Sequence, residues 1–196
     1  MAKTLDDLER LLTGRGYPCR RVNDSCVVTQ LPTRAYTNRA GAKAIDVQLA
    51  FDRQNGCLTM DTPWAFDSKQ ATHKEAMLAC LLAASGRSPL VKTQLDPKDG
   101  EVRLRVDCRL GADGVKSDDV LTMLSLIPAF ADRWYPHIKN AMDKGLFDAD
   151  GPPRSESDER LESIARRCGG INRLESLLRM RREGRSGPRG TDPSAN

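Results

Sequence analysis

The chain has 196 residues, 39% of them hydrophobic and 30% charged, and a net charge of +4. That length suits one domain of about 150 residues with an appendage, large enough to bury a core without disulfide staples. No apolar run approaches the roughly 20 residues that span a bilayer, and the first seven residues lack the apolar core of a signal peptide, so a cytoplasmic protein is expected.

Thr4 is placed to cap a first helix, with Asp6 and Asp7 in the first turn where the helix dipole favours anions. Leu5, Leu8, Leu11 and Leu12 make its apolar stripe, and Gly14 to Gly16 ends it. Short apolar runs around Cys19–Val22 and Cys26–Leu31 flank Asn23-Asp24-Ser25 and read as a hairpin. The polar, aperiodic stretch from Pro32 to Lys43 predicts an exposed loop. Ile45, Val47, Leu49 and Phe51 then alternate with Asp46, Gln48, Ala50 and Asp52. Asn55-Gly56 supplies the positive φ of a tight turn, and Leu58 and Met60 continue the return strand. A second helix opens at Thr72, carries Met77, Leu78, Leu81 and Leu82 on one side, and closes near Gly86.

The stretch from Val91 to Pro136 is the most strongly patterned. A strand leads into the turn Asp96-Pro97-Lys98-Asp99-Gly100, after which Val102, Leu104, Val106 and Cys108 point one way. Glu101, Arg103, Arg105, Asp107 and Arg109 point the other, which predicts a strand dry on one face and charged on the opposite one. Ser117 is placed to cap a third helix, with Asp118 and Asp119 in its first turn. Val120, Leu121, Leu124, Ile127, Ala131, Trp134, Tyr135 and Ile138 mark its buried face, and Pro128 removes one internal bond and should bend it.

Beyond residue 147 the character changes. Residues 148–157 are rich in Gly, Pro and Ser and read as a linker. Within 158–183, Leu161, Ile164, Ile171, Leu174, Leu177 and Leu178 recur at helical spacing, and Gly169-Gly170 divides the pattern into two short helical pieces. Residues 184–196 should be disordered. Ten arginines, no lysine and seven acidic residues give 151–196 a charge of +3, leaving +1 for 1–150.

Six cysteines lack C-x-x-C spacing, and the two histidines, His73 and His137, lie far from any cysteine pair. A zinc site needs clustered ligands, so Cys57, Cys80 and Cys108 read as small core hydrophobes in a reduced protein. Asp96 and Asp99 lack the longer ligand series of a calcium loop and are better suited to shaping their turn. Gly14-Arg15-Gly16 follows no strand and has no Lys-Ser/Thr pair, so it is not a phosphate loop. No nucleophile with a base, carboxylate pair or metal cluster emerges, and neither a catalytic role nor a cofactor or metal is expected.

The segment Leu95-Asp96-Pro97-Lys98-Asp99-Gly100-Glu101-Val102-Arg103-Leu104-Arg105 and the helix end Ala131-Asp132-Arg133-Trp134-Tyr135-Pro136 resemble the YbjN family and the class I type III secretion chaperones, which share a fold. The first helix and the Val22–Val28 hairpin fit as well, so the resemblance covers Thr4 to Met142. It implies an α+β domain over 1–147, an antiparallel sheet with helices packed on one face, in the order α-β-β-β-α-β-β-α. It also implies a non-enzymatic, usually dimeric module with chaperone or adaptor roles. Secretion chaperones are typically acidic and end at the third helix, whereas this chain is basic and continues to residue 196.

The expected function is therefore protein binding by a homodimer that holds a segment of a partner protein. The apolar stripe Leu161, Ile164, Ile171, Leu174, Leu177 and Leu178 is one candidate contact, because each buried side chain contributes roughly 1.5–3 kcal/mol. Tyr135 is another, as an aromatic anchor, while Trp134 falls on the core side of its helix. The alternative is a nucleic-acid-associated regulator using the arginines of 151–196. Glu162, Glu175 and Glu183 intersperse those arginines, and no aromatic follows Phe147 to stack on bases.

Overall fold

A computed structural model describes residues 1–148 and 151–152. Helix α1 (Leu5–Gly14) starts where its capping residues dictate. The Asp7 amide donates to Thr4 Oγ1 at 3.2 Å, and the Thr4 amide donates to Asp7 Oδ2 at 3.1 Å. This reciprocal box satisfies N–H groups that have no partner inside the helix. Strands β1 (Cys19–Asn23), β2 (Cys26–Pro32), β3 (Ala44–Asp52) and β4 (Cys57–Asp67) follow. Then come α2 (Lys74–Arg87), β5 (Lys92–Leu95), β6 (Glu101–Arg109) and α3 (Ser117–Lys144). Four strands rather than three separate α1 from α2, because Asn23-Asp24-Ser25 and Asn55-Gly56 each close a complete hairpin. The Ser25 amide donates to Asn23 Oδ1 at 2.9 Å, and Gly56 takes φ 63°.

The strands form one antiparallel sheet in the order β1-β2-β3-β4-β6-β5, so the fold is α+β. Register fixes its faces. Val27 faces Leu49, Leu49 faces Met60, and Met60 faces Val106, and all four are buried. The three helices cover this side. Arg21 of β1 reaches Asp6 and Glu9 of α1, and the Thr93 amide of β5 donates to Ser85 Oγ of α2 at 2.9 Å. Helix α3 packs against α2 and β6, burying Leu124, Ile127, Trp134 and Ile138, together with Met123, Leu126 and Phe130. It runs unbroken through Pro128 and Pro136 to Gly145, which ends it at φ 71°. No helix of the described residues is long and apolar enough to cross a membrane.

Several sequence expectations need correction. Helix α2 starts at Lys74, not Thr72, and Leu82 is 75% exposed rather than part of the buried stripe. Lys116, not Ser117, is the N-cap of α3, and it makes no side-chain cap bond. Cys57 is half-buried on the face away from the helices, level with Asp52 and Arg109, whereas Cys80 and Cys108 are buried. The 32–43 loop is not wholly exposed: Thr33 is buried and Tyr36 is only 2% exposed.

The sheet is also narrower at one point than its strand lengths suggest. Strands β3 and β4 pair over five positions, from Asp52–Cys57 to Gln48–Asp61. Beyond Gln48 and Asp61 they part, and the 33–43 loop reaches across to β4, where Tyr36 Oη donates to the Ala65 carbonyl at 2.9 Å. Asp132 of α3 holds this loop by accepting the amides of Arg34, Ala35 and Tyr36 at 2.8–2.9 Å.

Candidate functional site

The face of the sheet opposite the helices is uncovered among the described residues, and its composition follows from strand alternation. One row runs Arg20, Val28, Gln48, Asp61, Arg105, Lys92 across all six strands. The next runs Cys26, Ala50, Thr59, Asp107 and is built of smaller side chains. Charges on this face are mostly tied to one another. Arg105 Nε donates to Asp107 Oδ1 at 2.9 Å, and Arg105 Nη1 stands 3.7 Å from Asp61 Oδ2. Burial pushes the Asp61 carboxyl up, with Arg105 opposing, and Asp61 Oδ1 receives no hydrogen bond. Such a lattice has little net field.

At the end of this face where β3 and β4 part, β4 carries an irregularity between Thr62 and Phe66. Its cause is in the sequence. Pro63 has no N–H to give the ladder, so the strand bulges around Pro63-Trp64-Ala65. The bulge leaves backbone groups to be satisfied by side chains. The Leu104 amide donates to Thr62 Oγ1 at 2.9 Å, and the Trp64 amide donates to Glu101 Oε1 at 2.8 Å. Trp64 takes φ 52°, the one positive φ among the described non-glycine residues, a conformation sustained only where surrounding contacts hold it.

Glu101 therefore does not face solvent as alternation predicted. It is 2% exposed, and its second oxygen accepts Arg103 Nε at 2.7 Å, which raises the pKa of the guanidinium. Beside it, Arg39 of the loop sits 4.6 Å over the centre of the Trp64 ring and pairs with Asp67 at 3.1 Å.

Tyr135 lies half-buried in an aromatic cluster on the other side of this bulge. Its ring centre is 5.3 Å from that of Tyr36 and 6.2 Å from that of Phe66, and Tyr36 and Phe66 are 5.8 Å apart. Burial, reinforced by Tyr135 and Asp46, pushes the Tyr36 phenol up from 10.0 to about 12. The folded state thus holds this proton more tightly than the unfolded chain does. Its contribution to stability is complete below pH 10 and is lost as pH rises towards about 12. The urea midpoint is expected to fall through that window, and Tyr36→Phe to remove that component of the fall.

The six apolar residues of the tail stripe, Leu161 to Leu178, lie outside the described residues. A separate open groove of about 350 Å³ lies beside the start of α1, lined by Leu5, Asp6, Arg21, Phe51 and Arg53 among others. Arg21 there is occupied by Asp6 and Glu9. His73 is the exposed N-cap of α2, and no group of three potential metal ligands gathers among the described residues. Sequence reading missed Trp64 and Arg39; Pro63 inside a strand run was the available signal, since proline in a paired strand implies a bulge.

No family model matches the chain, and no curated protein does. Among solved structures the chain is similar to the crystal structure of YbjN from E. coli, described there as a candidate transcription regulator. The match has 17% identity and a TM-score of 0.47, over 69% of this chain and 93% of that one, and it is a likeness of fold alone.

Proposed function

We propose that the chain is a non-enzymatic protein-binding module, chaperone- or adaptor-like, that holds a segment of a partner protein and works as a cytoplasmic homodimer. The observation that supports this reading is the uncovered sheet face, a six-stranded surface of interleaved charges with a row of small side chains, Cys26, Ala50 and Thr59, across its middle. Polypeptide is the polymer that can match such alternation, whereas a uniformly anionic strand would meet Asp46, Asp52 and Asp107. The apolar stripe of residues 161–178 is assigned to the same partner, as a second contact.

A photo-crosslinking residue in place of Ala50 in the full chain is expected to form polypeptide adducts in cells. Leu174→Asp with Leu178→Asp should lower their yield. Absence of polypeptide adducts from position 50 would overturn the reading, and sedimentation as a clean monomer at micromolar concentration would overturn the dimer. The second reading, a regulator that binds nucleic acid through its ten tail arginines, predicts a gel shift that weakens steeply with salt and vanishes when 151–196 is deleted.

A further inference from the structure

We infer that Trp64 and the two guanidinium groups beside it, Arg39 and Arg103, form the point at which the chain recognises its partner, and that the matching feature is a stretch alternating carboxylates with apolar side chains. This rests on the protein-binding reading above. The argument begins with how the two ion pairs are layered. Arg39 is 50% exposed while its partner Asp67 is 10% exposed; Arg103 is 42% exposed while Glu101 is 2% exposed. The acids lie behind and the guanidinium groups in front. An approaching molecule therefore meets two cations, Arg39 over the indole and Arg103 tied to the Trp64 amide through Glu101, although the cluster as a whole is neutral.

A guanidinium already holding one carboxylate retains further N–H donors in its plane, so each arginine can accept a second anionic group in front of the first. The indole is half-buried and rigidly presented. Its backbone is fixed at φ 52° by the bulge and by the 2.8 Å bond from its amide to Glu101. A rigid tryptophan beside arginines has the composition of an interface hot spot, offering apolar area at small entropic cost. Phosphate polymers fit less well, because the same face exposes Asp107, 51% accessible, next to Arg105. A peptide can place an apolar residue where that carboxylate stands; a nucleic-acid backbone cannot omit a phosphate.

The two tryptophans of the chain make the test direct, since Trp134 is 3% exposed and serves as an internal control. Indole N–H signals of the ¹⁵N-labelled full chain would be followed during titration with a synthetic peptide alternating Glu and Leu. Its Lys–Leu counterpart and oligothymidylate are the comparison probes. The Trp64 signal is expected to move saturably with the Glu–Leu peptide alone, with the Trp134 signal unmoved. Arg39→Ala should weaken that binding about tenfold and Arg39→Lys by less, because the flat stacked cation is lost in both but the charge only in the first. A still Trp64 signal, equal response to the Lys–Leu peptide, or response to oligothymidylate would overturn the inference. If Ala50 and Thr59 amides shift while Trp64 does not, protein binding stands and this recognition point falls.

Discussion

Tyr36→Ala is expected to destabilise the fold by about 3–5 kcal/mol, the range for emptying a large aromatic site. The side chain is 2% exposed, packs edge-on against Phe66 and Tyr135, and fills the space left where β3 and β4 part. Tyr36→Phe keeps the ring and removes only the 2.9 Å bond to the Ala65 carbonyl, so about 1 kcal/mol should be lost. Urea unfolding followed by circular dichroism separates the two: both variants should lower the midpoint with little change in slope. A Tyr36→Ala loss below that of Tyr36→Phe would mean that the ring is not what closes this gap.

The second large effect concerns Arg103 and Glu101, and its sign is more informative than its size. Arg103→Ala leaves a carboxylate that is 2% exposed without its cation, whereas Glu101→Gln leaves a guanidinium that water can reach. A stranded buried charge is the costlier outcome, and breaking a fully buried pair costs about 3–5 kcal/mol. Because Arg103 is 42% exposed, about 2 kcal/mol is the better expectation for Arg103→Ala. Glu101→Gln retains an oxygen for the Trp64 amide and should lose about 1 kcal/mol. The double variant should then be more stable than Arg103→Ala alone, since the neutral amide no longer needs the cation. Equal losses for the two single variants would show that the carboxylate is not confined as described.

Much of the fold could be read from local pattern because local pattern was its cause. The Thr4–Asp7 capping box, the Asn55-Gly56 turn and the alternation from Glu101 to Arg109 each involve residues within a few positions of one another. The Asp96–Gly100 turn is shaped as its composition suggested, with the Lys98 amide on Asp96 Oδ1 and the Glu101 amide on Asp99 Oδ1, both at 2.9 Å. What escaped detection depends on groups far apart in the chain. Glu101 is buried because Pro63, 38 positions earlier, bulges a neighbouring strand and brings the Trp64 amide to its carboxylate. Tyr36 is buried because Asp132 collects three amides of a loop nearly a hundred residues away. Tyr135 was legible as an aromatic of note, but only its contact with Tyr36 and Phe66 places it in the core cluster.

The short junction between β3 and β4 has a mechanical meaning. It joins two leaves, β1-β2-β3 and β4-β6-β5, by five rungs, while seven join β2 to β3, eight join β4 to β6, and four join each edge strand to its neighbour. Past the last rung the leaves are held by side chains, so a twist of one against the other strains the Tyr36 hydroxyl and the Asp132 carboxylate before it strains any ladder. A polypeptide laid across the open face would cross this junction and act as a splint, so that occupancy and torsional stiffness rise together.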